Sequence, residues 1–123
     1  MEFIPSEHEE QKAVIEWVLW NQNKYPELRL LFAVPNGGHR NKIVAAKLKA
    51  EGVKPGVPDL ILPVARCEYH GLAIEMKRRK GWSLSNDQEW WIHSLNEQKY
   101  KAIICKGADE AIKALTEYLD GTL

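Results

Sequence analysis

The sequence predicts an α/β protein built on one mixed sheet with helices on its flanks. Three observations predict it. Helical and strand-like periodicities follow one another in the order α-β-α-β-β-α-β-α. Residues Leu72 to Lys77 alternate strictly, with Leu72, Ile74 and Met76 on one face and Ala73, Glu75 and Lys77 on the other. The rigid segment Pro55-Gly56-Val57-Pro58 leads into the short apolar run Asp59-Leu60-Ile61-Leu62, which reads as a buried strand. At 123 residues the chain has room for one core, and residues 1–123 are read as a single domain.

The elements follow in order. Ser6 and Glu9 have the spacing of a capping box, so a helix should start there, with Val14, Trp17, Val18, Glu10 and Gln11 toward one face. It should end before Tyr25-Pro26. Leu28 to Val34 is short and apolar and reads as a strand, broken by Pro35-Asn36-Gly37-Gly38. Asn41 to Glu51 reads as a second helix stopped by Gly52, with Ile43, Val44, Ala46 and Leu48 available for packing. Arg66 to Gly71 should turn the chain between two antiparallel strands. Ser85 and Gln88 form a second capping box, opening a helix to about Gln98. Lys101 to Cys105 reads as a strand and Ala108 to Leu119 as a closing helix.

Composition narrows the class. No apolar run reaches the roughly 20 residues that span a bilayer. The acidic start MEFIPSEHEEQ lacks the basic and apolar regions of a signal peptide, so the expectation is a cytoplasmic protein with no membrane partner. Cys67 and Cys105 match no metal or redox spacing and read as reduced thiols. His8, His70 and His93 show no ligand spacing. The formal net charge is zero, but its distribution is uneven. Acid gathers at Glu7, Glu9, Glu10 and Glu16, base at Arg40, Lys42, Lys47, Lys49 and Lys54, and again in the run Lys77-Arg78-Arg79-Lys80.

The chemistry concentrates on Leu72 to Lys77. Glu75 and Lys77 are two residues apart and share a face, and a charged pair on an apolar strand is costly unless partnered. Asp59 begins the preceding strand. Neighbouring strands lie about 4.7–4.9 Å apart, so Asp59 and Glu75 can converge. Paired carboxylates are hard-oxygen ligands suited to Mg²⁺ or Mn²⁺. Lys77 beside them would offer positive charge to a phosphate and its transition state. The sum is metal-assisted phosphodiester hydrolysis.

Pro58-Asp59 and Glu75-Met76-Lys77, with fifteen residues between the two acids, resemble the signature of the PD-(D/E)XK nuclease superfamily. The surrounding segments Pro35-Asn36-Gly37-Gly38, Gly52 to Leu60, Gly71 to Lys77, and Ser85 with Gln88 and Trp91 are similar to the VRR-Nuc (virus-type replication-repair nuclease) family over nearly the whole chain. The resemblance implies a restriction-endonuclease-like core and a metal held by Asp59, Glu75 and the main-chain carbonyl of Met76. It also implies a glutamate on the first helix. Glu7, four residues before Gln11, is preferred for that role, and Glu10 is the alternative. Acids at a helix start also serve the helix dipole without further function. The resemblance puts Gln88 beside the lysine, although its capping box already explains it. Asn36 and Arg40, and the run Arg78, Arg79 and Lys80, are candidate DNA-backbone contacts.

The expected function is a Mg²⁺- or Mn²⁺-dependent, structure-specific DNA endonuclease that resolves four-way (Holliday) junctions as a homodimer. Trp82 and one of Trp90 and Trp91 are candidates for the dimer surface. A flap, end or duplex nuclease is the alternative, and a catalytically silent DNA-binding module is the alternative of another class.

Overall fold

The computed structural model describes residues 2–35 and 41–123. Helix α1 (Glu7–Trp20) opens on the expected capping box. The Ser6 hydroxyl accepts from Glu9 N–H at 3.1 Å, and the Glu9 carboxylate accepts from Ser6 N–H at 3.0 Å. Strand β1 (Phe32–Ala33), helix α2 (Lys42–Ala50), strands β2 (Leu60–Leu62) and β3 (Leu72–Lys77), helix α3 (Asn86–Glu97), strand β4 (Lys101–Lys106) and helix α4 (Ala108–Asp120) follow in the predicted order.

The four strands form one sheet in the order β1-β2-β3-β4. β1 pairs with β2 and β2 with β3 antiparallel, whereas β3 and β4 run parallel. The sheet is therefore mixed, as the sequence predicts. β3 is the strand that joins the two modes of pairing, and all six of its residues are buried. Leu72, Ile74 and Met76 point into the main core with Val14 and Val18 of α1 and Ala111, Leu115, Tyr118 and Leu119 of α4. Ala73, Glu75 and Lys77 occupy the opposite face, beneath α3. Burying one large aliphatic side chain here contributes about 1.5–3 kcal/mol, so this core is what holds the sheet against its charged second face.

Two sequence expectations change. The predicted strand Leu28 to Val34 is mostly not strand. Pro26 sits at the first turn of a 3₁₀ helix, Pro26–Leu30, which plants Leu28 in the core, and only Phe32 and Ala33 pair as an edge strand. Proline's fixed φ suits a helical first turn, and that local preference overrides the apolar run. Helix α2 is present, but its apolar positions do not pack. Ile43 is 76% exposed, Val44 is 41% exposed, and no α2 residue is buried. Asn41 caps it by accepting from Val44 N–H at 2.8 Å, and its Ala-, Lys- and Leu-rich composition favours helix. The local signals suffice for a helix, and no core face is there to receive it.

Two further devices frame the sheet. The outer edge of β4 is occupied by side chains. Asn96 Nδ2 donates to Ala102 O at 3.0 Å while Asn96 Oδ1 accepts from Ala102 N–H at 3.0 Å, and Glu110 Oε1 accepts from Lys106 N–H at 2.9 Å. The segment returning from α2 to β2 is fixed against α3. Trp91 Nε1 donates to Pro55 O at 3.1 Å, and Gly56 lies so close to α3 that a Cβ there would stand 2.6 Å from the Asp87 backbone carbon. Gly56 also has φ +87°, in the left-handed region. Gly56→Ala should therefore destabilise the fold by about 1–3 kcal/mol from backbone strain, with the clash adding to it. Chemical denaturation would check this, and an unchanged midpoint would mean that the segment is free to move off α3.

Candidate active site

The β2–β3 ladder ends at Leu60–Ile74. One residue beyond, the same register sets Asp59 opposite Glu75. Pro58 has no N–H with which to extend the ladder. The Asp59 side chain takes over: its Oδ2 accepts from Met76 N–H at 2.7 Å, while its main-chain oxygen accepts from Val34 N–H at 2.8 Å. Asp59 is thus tied to strands on both sides, and its carboxylate is held over β3.

Glu75 is 2% exposed and Lys77 5% exposed. Gln88 joins them. Its Nε2 donates to Glu75 Oε2 at 3.2 Å and its Oε1 accepts from Lys77 Nζ at 3.0 Å. The same Oε1 accepts from Ser85 N–H at 3.0 Å, so one amide closes the capping box of α3 and spans the buried pair. Lys77 Nζ stands 3.8 Å from Glu75 Oε2. Glu75 Oε1 is buried and has no hydrogen-bond partner among the described residues. Burial first, then the neighbouring Asp59 carboxyl, push the Glu75 pKa up to about 9. Lys77 opposes that shift and Glu7 adds to it.

A cavity of about 690 Å³ opens in front of Asp59. One stripe of α1 (Glu7, His8, Gln11, Lys12 and Ile15) forms one wall, and Ala33, Val34 and Pro35 form another. Among the described residues that line it, Asp59 is the one that belongs to the buried charged cluster.

A family model for the VRR-NUC domain matches residues 2–109. The chain belongs to the VRR-NUC family. That makes it a member of a nuclease family. A solved structure of a VRR_NUC domain protein superposes with a TM-score of 0.80 at 31% identity, covering 96% of this chain and 91% of that one. No curated protein matches the chain.

The VRR-NUC fold separates the two helix-α1 glutamates. Glu7 lines the cavity with Asp59 and acts on Glu75 through charge. Glu10 is buried and turned to α4, where its Oε1 accepts from Ala108 N–H at 3.2 Å. The N-cap of α4 is Gly107, which has no side chain to cap with, so Glu10 supplies the missing carboxylate from another helix. It complements the dipole of α4 while also standing in the first turn of α1. Gly107 has φ +92°, and a Cβ there would lie 2.8 Å from Arg79 Cγ. The sequence carried a cue for this cap, a glycine before an apolar helix, but nothing naming the partner.

The basic run after Lys77 is exposed and engaged within the chain. Arg78 donates to Ile4 O at 3.5 Å, Arg79 to Phe3 O at 3.2 Å, and Lys80 pairs with Glu2 at 2.7 Å. Arg79 Nε also stands 3.4 Å from Glu10 Oε2. Asn36 and Arg40 lie outside the described residues. Among those described, no group of three or more His, Cys, Asp or Glu side chains is gathered closely enough to hold a metal ion. The close acidic pair is Asp59 and Glu75, with Glu7 across the cavity.

The raised Glu75 pKa sets the sign of a pH effect. Between the ordinary value of 4.5 and about 9, the folded protein holds a proton that the unfolded chain releases. Stability should therefore fall as pH rises through that window in the absence of divalent ions. Glu75→Gln should flatten the dependence. Thermal melts in chelator from pH 5 to 9 would check it, and equal slopes for both proteins would remove Glu75 as the source.

Proposed function

We propose that the protein is a divalent-metal-dependent DNA endonuclease acting on branched DNA, with Asp59, Glu75 and Lys77 at its catalytic centre. The observation that carries this reading is the convergence of two carboxylates and a buried lysine at the broken end of the β2–β3 ladder. Family membership supplies the hydrolytic class.

The donor set fits Mg²⁺ or Mn²⁺. Asp59 and Glu75 offer hard oxygens, and a cation between them would relieve both their repulsion and the unpartnered Glu75 Oε1. Asp59, Glu75 and the Met76 carbonyl would hold it, with Glu7 contributing from across the cavity, directly or through water. When bound, such an ion polarises a phosphoryl oxygen and lowers the pKa of water. The chain's own groups do the rest. Met76 N–H fixes the Asp59 carboxylate. Gln88 holds Lys77 and Glu75 in register. Lys77 places a compact positive charge where negative charge grows on the phosphoryl group. Arg78, Arg79 and Lys80 are exposed, and their surface pairs with the N-terminal segment are weak enough for a phosphate to displace. They and, outside the described residues, Asn36 and Arg40 are the proposed backbone contacts.

Four-way junctions are the proposed substrate, cut by a C2 homodimer whose two sites make paired incisions. The exposure of Trp90 (61%) and Trp82 (39%) supports a surface for such pairing, whereas Trp91 is turned inward to Pro55.

Asp59→Ala and Glu75→Ala should abolish cleavage with DNA binding retained. Lys77→Ala should slow turnover by about 10²–10³-fold, and Lys77→Arg should not restore it, since a broad fork replaces a point charge. The assay is cleavage of labelled four-way junction, flap, duplex and single-stranded DNA with Mg²⁺ or Mn²⁺, with light scattering of the free and bound protein. Full activity in excess chelator, or in either acid variant, would overturn the catalytic assignment. Cleavage of flaps alone by a monomer would replace the junction reading.

A further inference from the structure

Helix α2 belongs to no part of the core. Every residue from Lys42 to Ala50 is exposed except Leu48, which is half-buried. By comparison α3, which also has no fully buried residue, turns five half-buried residues inward: Gln88, Trp91, Ile92, Ser94 and Leu95. A helix of nine residues is too short to be stable on its own account in water. Its retention as a discrete, capped element outside the core points to work at the surface.

Its charge says what kind of surface it is. The helix carries Lys42, Lys47 and Lys49 and no acid, with Lys54 beyond it and Glu51 the only acid between. At about 100° per residue, Lys42, Ala46 and Lys49 share the face opposite Val44 and Leu48, while Lys47 lies further round the helix, between Ile43 and Val44. Lysines thus border an exposed surface on both sides, with Ala46, Ala50 and Ile43 between them. Position adds to charge. The chain comes back from α2 through Pro55, Gly56 and Pro58 to Asp59, which lines the cavity. The return is pinned to α3 by Trp91 and by the close approach of Gly56. The C-terminal end of α2 is therefore tied, through a segment fixed on α3, to the proposed catalytic carboxylate Asp59.

We propose that α2 is a docking helix for the DNA backbone, with Lys42, Lys47 and Lys49 contacting phosphates of the duplex that flanks the cleaved bond. This rests on the nuclease reading above and adds to it the place where the substrate's arm lies. The rival occupant is a second copy of the chain, to which Ile43 and Val44 would offer apolar contact. Two-fold pairing through this helix would set three lysines against three lysines with no acid in the helix to offset them. A polyphosphate meets the same face with complementary charge.

The test is the triple variant Lys42→Gln, Lys47→Gln and Lys49→Gln, which keeps good helix formers at all three positions. DNA affinity is measured by fluorescence anisotropy on a four-way junction and on a plain duplex in Ca²⁺, over a range of salt. Hydrolysis of the small diester bis(p-nitrophenyl) phosphate, thermal melting and sedimentation are measured alongside. The expected result is a loss of affinity of about tenfold or more at low salt on both DNAs. The slope of log affinity against log salt should fall by about 2.7, for three lost phosphate contacts. Melting temperature and small-diester turnover should not change. Unchanged affinity and slope would overturn the proposal, as would a change of oligomeric state that accounts for the lost affinity. A parallel fall in small-diester turnover would also overturn it, since α2 would then be supporting the site and not the substrate. If the unaltered protein binds neither DNA, the nuclease reading itself fails; if it binds and the variant binds equally well, only the role of α2 fails.

Discussion

A carboxylate buried on the middle strand of a small sheet constrains most of what surrounds it. Glu75 has lost its water, and an unpartnered charge there would cost several kcal/mol. The neighbours are arranged around that cost. Gln88 gives it an N–H, Lys77 gives it a counter-charge, and Asp59, brought opposite by the register, makes ionisation harder. In a purely structural protein this would be a poor arrangement, because an apolar residue at position 75 would pack without penalty. The cost falls on the residue that the proposed function places at the metal.

The same economy of parts recurs at two other points. Gln88 closes a helix cap and orders the buried pair with one amide. Glu10 leaves its own helix to cap α4 at Gly107 and meets Arg79, two residues beyond Lys77. Helix α1 therefore bears on the site in two ways: Glu7 faces the cavity directly, and Glu10 fixes the chain where β3 ends and α4 begins. The two glutamates are one turn apart on α1, yet one faces the cavity and the other the start of α4.

Much of this was legible in the sequence because it is local. Both capping boxes, the alternation of β3 and the order of the elements depend on residues within a few positions of one another. The antiparallel placing of Asp59 near Glu75 followed from one short turn. Long-range partners were not legible. Nothing in the sequence tells Glu10 from Glu7 except the position of a helix start nearly a hundred residues away. The partners of the basic run Arg78 to Lys80 within the chain, the carbonyls of Phe3 and Ile4 and the Glu2 carboxylate, have no sequence signature. The run Leu28 to Val34 misled through hydrophobicity alone: it is apolar enough for a strand, but Pro26 starts a tighter helix and spends Leu28 on the core. For α2 the periodicity was right and the inference of packing was wrong, since an apolar stripe shows that a helix can bury a face and not that a core awaits it.

The side chains along the outer edge of β4 have a consequence for how the sheet behaves among its own copies. An exposed edge strand is a template, and one as long as β4 invites a stranger's backbone to extend it. Asn96 presents a donor and an acceptor to Ala102 in the manner of an adjoining strand, and Glu110 takes the N–H of Lys106. An arriving strand would have to evict both before making its first pairs. At the opposite margin β1 is two residues long, too short to recruit much. The sheet is thus closed to growth at both ends without being closed into a barrel, and the protein can be crowded without its copies being drawn into fibres.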